Sequence, residues 1–366
     1  MQISLLTVTI FFPQILRIQC ETIDDPTLKP AKPFSASDDG EILRNELKSK
    51  IINRSKIARL FFHRTYQQRH EIQVYYDQKY CPNGDTNKPF EYCPFHSALK
   101  DISTESLDDL YNISLTPPEG IYAQTIHHAI ESKDGEVGAI EEAVCGNDKK
   151  TKDLINKYYQ ANYQTTVEDH LATFKKDDEE YQNVMLKYCW KGLSQEKKLC
   201  PEDIDKETQI LRDLHHKKDW DGFKKKLKEL LDNTSEPDLQ QIFIKYRHDK
   251  KGIDKAVEDV FKEERQIRAY NVLARYIEHT ARYYAEMLRD TVDSPTSLII
   301  KSTKINRIVL TRCERDLSSI FKEYHDKYGH TFTKNLHDIF FDRFWYWDFD
   351  PEDRYVECIR YLCGKP

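Results

Sequence analysis

The sequence predicts an all-α protein built from four copies of one helical unit. A short pattern recurs along the chain: an acid, an aliphatic residue directly after it, and an aromatic residue five positions after the acid. The four copies begin at Glu71, Asp153, Asp238 and Asp316, at intervals of 82, 85 and 78 residues. Regular spacing of this size is typical of a repeated supersecondary unit.

Helical spacing of apolar residues and the positions of helix breakers support the same fold class. In the fourth copy, apolar residues recur every three or four positions between Ile305 and Tyr324, and no window alternates long enough to predict a strand. Breakers fall between the copies, at Thr116-Pro117-Pro118, from Gly192 to Pro201 and at Asp293-Ser294-Pro295. Each unit of about 80 residues has room for several short helices.

Composition narrows the class of protein. The chain has 366 residues, of which 39% are hydrophobic and 32% charged, and its mean hydropathy is −0.75. These values allow a substantial core and are not those of an integral membrane protein. The net charge of −6 provides no overall attraction to nucleic acid, so we expect no nucleic-acid partner.

The first twenty residues are predicted to be a signal peptide. An apolar run from Ile3 to Leu16 precedes Cys20, and an acidic, proline-bearing tail is assigned to residues 21–38. Because no Lys or Arg precedes the run, a membrane-anchored N-terminus is the alternative. We expect a secreted, extracellular protein.

Removal of the first twenty residues leaves an even number of cysteines, which suits an oxidising compartment. They are Cys81, Cys93, Cys145, Cys189, Cys200, Cys313, Cys358 and Cys363. The pairing expected first is Cys81–Cys93, followed by Cys189–Cys200; the alternative is that several are buried free thiols. Three sequons, at Asn53, Asn112 and Asn233, are glycan acceptors if the chain is secreted.

Several segments resemble the annexin family. Phe62–Ile72 and Arg307–Leu317 are both similar to the second helix, turn and third-helix start of an annexin repeat. Thr116-Pro117-Pro118-Glu119 resembles the link between the first two repeats, and Leu362-Cys363-Gly364 resembles the family's C-terminal end. The resemblance implies four annexin-type repeats of about five helices each, packed as a slightly curved right-handed superhelical disk.

The resemblance runs from about Asp39 to Gly364 and suggests limits for the four repeats. The repeats are assigned to residues 39–116, 117–192, 204–280 and 281–366, with a linker at 193–203.

The resemblance also implies Ca²⁺ sites on the convex face, each made from a Gly-x-Gly-Thr loop and a carboxylate on a later loop. This chain departs from that pattern in every copy. The matching loops are Ser49–Ile52, Ser132–Gly135, Trp220–Gly222 and a glycine-free stretch from Asp290 to Lys301.

The carboxylate positions are also incomplete. They fall on Lys176 and Val260 in the second and third copies, whereas Asp101 and Asp350 match opposite unsuitable loops. We therefore expect Ca²⁺ binding to be weak or absent. The residues left for a degenerate site are Asp134, Gly135, Asp177, Asp221, Gly222 and Asp259.

A lysine-rich segment offers another way to bind an anionic surface. It surrounds Trp220 with Lys217, Lys218, Lys224, Lys225 and Lys226, and the resemblance places it on the convex face. Lysines and an indole suit anionic phospholipid or sulfated glycosaminoglycan. The alternative is a solvated helix face with Trp220 packed beneath it.

Two further groups of residues leave alternatives open. Trp345 and Trp347 either fill the core or form an exposed anchor for lipid or a host protein. The adjacent pairs His127-His128 and His215-His216 are expected to be exposed imidazoles, because neighbouring positions on a helix point to different sides.

No motif indicates an enzyme. The leading hypothesis is a secreted annexin-like protein that binds phospholipid or extracellular polyanion with little dependence on Ca²⁺, with an effector role expected by analogy with some annexin carriers. The alternatives are a protein-binding scaffold and Ca²⁺-dependent phospholipid binding through adjusted loops.

Overall fold

The computed structural model describes residues 25–80, 94–100, 102–103, 105–132, 137–174, 177–193, 198–247, 252–341 and 351–364. The predicted signal peptide, the Cys81–Cys93 pair and the Trp345–Trp347 cluster lie outside these residues, as do Asp101, Asp134, Gly135, Lys176 and Asp350.

The helices fall into four successive groups of five. Repeat 1 contains α1 (Ala36–Leu47), α2 (Arg54–Phe62), α3 (Tyr66–Tyr80), α4 (Pro94–Lys100) and α5 (Glu105–Ser114). Repeat 2 contains α6 (Pro118–Glu131), α7 (Val137–Cys145), α8 (Lys149–Tyr163), α9 (Val167–Leu171) and α10 (Glu179–Asn183), which continues as a π-helical segment (Val184–Trp190).

A kinked helix joins the last two groups. Repeat 3 contains α11 (Pro201–His216), α12 (Trp220–Asn233), α13 (Glu236–Tyr246), α14 (Ile253–Val260) and the first arm of α15 (Glu264–Asp293). The backbone leaves helical geometry at His279, where φ is −165° and ψ is 94°. Repeat 4 contains the second arm of α15, α16 (Leu298–Arg312), α17 (Leu317–Tyr328), α18 (Phe332–Phe341) and α19 (Pro351–Leu362).

The predicted fold class is confirmed: across the described ranges the regular structure is helical and contains no strand. None of the described helices has both the length and the apolar character required to cross a bilayer. The breakers act where the sequence predicts, because α6 begins at Pro118, α11 at Pro201, and α15 ends just before Ser294-Pro295. The residue limits assigned to the repeats from the sequence stay predictions, and α1 begins inside the predicted tail.

An isoleucine followed four positions later by a tyrosine fills the same core position in every repeat. The two side chains lie one turn apart on the third helix, which packs against the first helix of its repeat. The pairs are Ile72 and Tyr76, Ile155 and Tyr159, Ile242 and Tyr246, and Ile320 and Tyr324, all buried.

This core pattern corrects the register read from the sequence. In the second copy, Leu154 is 40% exposed and Ile155 occupies the core, so the acid and aliphatic residues chosen there are out of register. In the first copy, the pattern equates Ile72 with Leu317 of the fourth copy. In the fold, Ile72 instead occupies the core position that Ile320 occupies in the fourth copy. The expectation that one tyrosine of each adjacent pair fills the core is confirmed, since Tyr76 and Tyr159 are fully buried.

The four repeats form two hydrophobic cores. One core combines residues of repeats 1 and 4, including Phe61 and Ile308, and the other combines residues of repeats 2 and 3, including Ile140 and Leu227. The tail belongs to the first core: Leu28 is buried there and its N–H donates to the Cys313 carbonyl oxygen at 2.9 Å.

A buried ion pair links the two cores. Two N–H groups of the Arg307 guanidinium donate to Oε2 of Glu142, at 2.9 and 2.6 Å, and both side chains are almost fully buried. Nearby, the Tyr284 hydroxyl donates to the Gly146 carbonyl oxygen at 2.9 Å. A Cβ on Gly146 would lie 2.6 Å from that hydroxyl, so only glycine permits this close approach.

The disulfide found in repeat 2 differs from the predicted pairing. Cys145 at the end of α7 is bonded to Cys189 in the π-helical segment, and both are buried. The expected Cys189–Cys200 pair is therefore wrong, and Cys200 is an exposed thiol. Sequence proximity is a poor guide here, because the second and fifth helices of the repeat pack side by side and bring distant cysteines together.

Breaking the inter-core ion pair should strongly destabilise the protein. The Glu142→Ala variant leaves Arg307 charged and buried, which should lower the free energy of unfolding by about 3–5 kcal/mol. The readout is the urea unfolding midpoint. In the control Glu258→Ala, which breaks an exposed pair with Lys255, the change should stay within about 0.5 kcal/mol. Equal effects of the two variants would contradict the structural role of the buried pair.

Removing the disulfide should lower thermal stability. It closes a loop with a sequence separation of 44 residues, for which chain entropy gives about 4 kcal/mol. We expect non-reducing peptide mapping to recover a Cys145–Cys189 peptide, and a reductant to lower the melting temperature more in the wild type than in Cys145→Ala/Cys189→Ala. A map that pairs Cys189 with Cys200 would refute this assignment.

Candidate functional site

In each of two repeats, the second helix contacts the turn after the fourth helix close to its own start. In repeat 1, Nε of Arg54 donates to the Ile102 carbonyl oxygen at 3.0 Å. In repeat 3, the Lys224 ammonium lies 5.0 Å from the centroid of the Phe261 ring. We call the connection between the first and second helices, with the first two turns of the second helix, and the turn after the fourth helix the paired turns of a repeat. These are the turns in which the annexin resemblance places surface binding.

The core tyrosine of each third helix directs its hydroxyl to a polar partner on the first or fourth helix. The ring contributes to the core, whereas the hydroxyl requires a hydrogen bond because it is buried. The partners are Nη1 of Arg44 for Tyr76, Nδ1 of His170 for Tyr159, Nδ1 of His215 for Tyr246 and Nδ2 of Asn335 for Tyr324.

The lysine-rich segment forms a tight turn between α11 and α12. Lys217 caps α11, and Lys218 has a positive φ of 55°. Asp219 caps α12 by accepting a hydrogen bond from the Gly222 N–H at 3.0 Å. Of the predicted lysines, Lys217, Lys218 and Lys225 are exposed.

The other members of the predicted lysine site have contacts within the protein. Nζ of Lys226 lies 2.6 Å from Oε2 of Glu207 and 3.1 Å from Oε1 of Glu229. Lys224 lies over Phe261, as described. Trp220 is half-buried and packs against the core of repeats 2 and 3, with its ring 5.7 Å from that of His215. Three exposed lysines therefore remain from the predicted set.

The predicted calcium residues do not form an annexin-type loop in repeat 3. Trp220, Asp221 and Gly222 are the first turn of α12, so their carbonyl oxygens point along the helix instead of outward. In this repeat, Oδ2 of Asp259 lies 3.2 Å from Nε2 of His215. The exposed Asp177, which belongs to the predicted site of repeat 2, lies 3.6 Å from Nη1 of Arg265. The described residues thus offer no converging set of oxygens for Ca²⁺ in repeat 3.

Exposed isoleucines lie in the turn between the first and second helices of repeat 1 and in the first turn of the second helix of repeat 4. Ile51 is 86% exposed, Ile299 52% and Ile300 41%. The sequence analysis did not select them. The available signal was an isoleucine in the turn Ser49–Ile52, where a polar or glycine residue is the norm.

The arrangement of helices matches that of known proteins. No family model matches the chain. The structure of chicken annexin V in complex with Zn²⁺ superimposes with a TM-score of 0.75 over 93% of this chain and 99% of that chain, at 18% identity. The fold is the annexin fold. Calcium-bound annexin (Sm)1 is also similar, with a TM-score of 0.68 over 93% of this chain and 94% of that chain, at 16% identity.

A sequence relative agrees with this assignment. The annexin-like protein RJ4 of Fragaria ananassa is 26% identical over 304 residues, which cover 82% of this chain and 90% of that protein. The resemblance to annexins noted in the sequence is thereby confirmed.

A polar cleft of about 870 Å³ lies between repeats 2 and 3 of this annexin fold. Its lining residues include Asp178, Glu180, Lys228, Glu264, Arg265 and Arg268. Arg268 connects the cleft to the interior, because its Nε lies 3.6 Å from Oε1 of the buried Glu141. Burial raises the pKa of Glu141 to about 7, and the Arg268 charge opposes part of that shift.

Glu141 should make the stability of the protein depend on pH. A carboxyl with a raised folded-state pKa favours the folded state while it is protonated, so stability falls as pH rises from about 4.5 to about 7. Glu141→Gln should remove this pH dependence. Between pH 5 and 8, its free energy of unfolding should exceed that of the wild type by up to about 3 kcal/mol.

Urea unfolding of the wild type and of Glu141→Gln at pH 5 and at pH 8 measures this difference in the free energy of unfolding. The control is Glu264→Gln, whose side chain is exposed and should not reproduce the effect. Identical pH profiles for wild type and Glu141→Gln would contradict the prediction.

Proposed function

We propose that this annexin-like protein binds anionic phospholipid membranes through its paired turns with little or no dependence on Ca²⁺. One observation carries the proposal: the exposed side chains in and beside the turns between the first and second helices include isoleucines in repeats 1 and 4 and lysines in repeat 3. They are Ile51, Ile299, Ile300, Lys217, Lys218 and Lys225. Scattered exposed isoleucines need no explanation, but their placement on equivalent turns next to lysines suits a bilayer interface.

The energies are sufficient for reversible binding. A lysine near an anionic membrane contributes about 1 kcal/mol. Partial burial of an isoleucine contributes on the order of 1 kcal/mol, below the 1.5–3 kcal/mol of full burial. Three of each sum to roughly 6 kcal/mol, which corresponds to a dissociation constant of tens of micromolar. Binding of this strength should be sensitive to salt.

The helical geometry of Trp220–Gly222 supports a weak role for Ca²⁺. Annexin (Sm)1 is described as calcium-bound, and a Ca²⁺ site needs six to eight oxygens at 2.3–2.6 Å. In this chain, the Asp219 carboxylate instead caps α12. Lys217 and Lys218, which precede Asp219, add positive charge to the same turn, which disfavours a divalent cation.

An extracellular location is part of the proposal. The Cys145–Cys189 disulfide is expected in an oxidising compartment, and the apolar run from Ile3 to Leu16 has the composition of a signal peptide. Sulfated glycosaminoglycan is the competing polyanion in that setting, because it would be recognised by the same lysines without the isoleucines.

Vesicle co-sedimentation tests the function. The wild type should bind phosphatidylserine-containing vesicles in the presence of a chelator at low salt and dissociate at high salt. Binding should fall at least about tenfold in Lys217→Glu/Lys218→Glu/Lys225→Glu, because charge reversal replaces attraction by repulsion. It should fall several-fold in Ile51→Asn/Ile299→Asn, because apolar burial is lost.

Matched variants on the third helices serve as controls. Lys149→Glu/Lys157→Glu/Lys322→Glu changes the net charge equally, and Ile244→Asn replaces an isoleucine that is 47% exposed; both should bind as the wild type does. If vesicle binding is lost in the lysine variant alone, and the wild type also binds heparin, the result would favour glycosaminoglycan as the ligand. Binding that needs Ca²⁺ would refute the calcium-independent mode, and no vesicle binding at all would favour a protein-binding scaffold.

A further inference from the structure

Three potential metal ligands meet where the C-terminal part of α6 lies beside α9 in repeat 2. His127 and Glu131 lie one turn apart on α6, and His170 lies near the end of α9. One ligand atom from each side chain lies within 4.8 Å of the other two. The expectation that His127 is an exposed imidazole is wrong, because its ring is half-buried, whereas His128 is exposed.

Neighbouring side chains hold both imidazoles in place. The His127 ring stacks on Tyr163, with centroids 3.7 Å apart and an angle of 10° between the planes. Nδ1 of His170 is hydrogen-bonded to the Tyr159 hydroxyl, and its Nε2 lies 2.9 Å from Oε1 of Glu131. Both rings are therefore positioned before any ligand arrives, which reduces the entropy cost of binding.

We propose that His127, Glu131 and His170 bind a transition-metal ion of the Zn²⁺ class. Two imidazole nitrogens and one carboxylate form a common ligand set for Zn²⁺, with a fourth position left to water or another ligand. Ca²⁺ prefers oxygen ligands and is not expected to compete. This site is independent of the lysines and isoleucines proposed for membrane binding.

The spacing of the ligand atoms suits such an ion. Tetrahedral bonds of 2.0–2.1 Å place neighbouring ligand atoms about 3.3 Å apart. The 2.9 Å between Nε2 of His170 and Oε1 of Glu131 needs to open slightly, and the Glu131 side chain is 61% exposed. Because the three ligand atoms all lie within 4.8 Å of one another, small side-chain rotations bring them to the spacing of a bound ion.

Tyr159 has the position of an outer-shell partner. Metal-bound histidines usually hydrogen-bond through the second ring nitrogen, which fixes the tautomer and the ring orientation. With Nε2 of His170 on the metal, its Nδ1–H donates to the Tyr159 oxygen. The same buried tyrosine lies 3.4 Å from Nδ1 of His127 and so contacts both rings.

Repeat 3 supplies a natural comparison. There, Nδ1 of His215 is hydrogen-bonded to Tyr246 at 2.9 Å, and its Nε2 lies 3.2 Å from Asp259. The hydrogen bonds resemble those of His170, but no second histidine of the described residues joins the group. A histidine that contacts both a tyrosine and an acid thus occurs in repeats 2 and 3. Of these two repeats, repeat 2 has the second histidine that completes a metal site.

Zinc titration by calorimetry tests the proposal. The protein carries no polyhistidine tag and contains Cys200→Ser, because the exposed Cys200 thiol is itself a zinc ligand. With excess Ca²⁺ present, one Zn²⁺ should bind per chain and raise the melting temperature. Tyr159→Phe should weaken binding by about tenfold or more, and His127→Gln and His170→Gln should weaken it further.

Two variants keep the test decisive. His215→Gln should bind Zn²⁺ as the parent does, because the repeat 3 group lacks a second histidine. If a histidine variant fails to fold by circular dichroism, Glu131→Gln changes only an exposed side chain and should still weaken binding. Unchanged affinity in all three ligand variants, or equal loss in His215→Gln, would overturn the proposal and leave an ordinary histidine–carboxylate pair.

Discussion

The buried tyrosine on the third helix of each repeat connects the hydrophobic core to the surface turns. Its ring takes part in close packing, and its hydroxyl must find a hydrogen-bond partner because water is excluded there. That partner is Arg44, His170, His215 or Asn335, each on the first or fourth helix of its own repeat. The position of the tyrosine in the core therefore determines which polar side chain is held beneath the paired turns of each repeat. The repeats share this frame while differing in the chemistry that they expose.

Much of the architecture was accessible from the sequence, because helix periodicity and breakers are local properties. The number of repeats, the helical class and the starts of α6 and α11 follow from such signals. The register of the first two repeats did not, since Glu71-Ile72 and Asp153-Leu154 satisfy the pattern although the core positions are set by the buried Ile72 and Ile155. Such an ambiguity in a pattern is resolved only by packing against the first helix.

Long-range contacts were the harder part of the problem. Cys145 and Cys189 are separated by three intervening helices, so nothing in their spacing favours that bond over Cys189–Cys200. His127, Glu131 and His170 come from two helices; His127 was read as an exposed imidazole, and the other two were not selected from the sequence. Conversely, Lys226 belongs by sequence to the basic segment, yet Glu207 and Glu229 neutralise it in the fold. Partners of this kind become visible only when the chain is folded.

The tail residue Thr27 has a consequence for the outline of the molecule. Its hydroxyl donates to the Leu362 carbonyl oxygen at 2.7 Å, and its own carbonyl oxygen leaves no room for a side chain at Gly364. The described part of the tail therefore lies against the end of α19, and the first and last repeats share one core. A short bridge between these two points should allow circularly permuted chains whose new termini lie in an exposed loop. Two protein domains fused to the chain, one before the tail and one after α19, would lie next to each other.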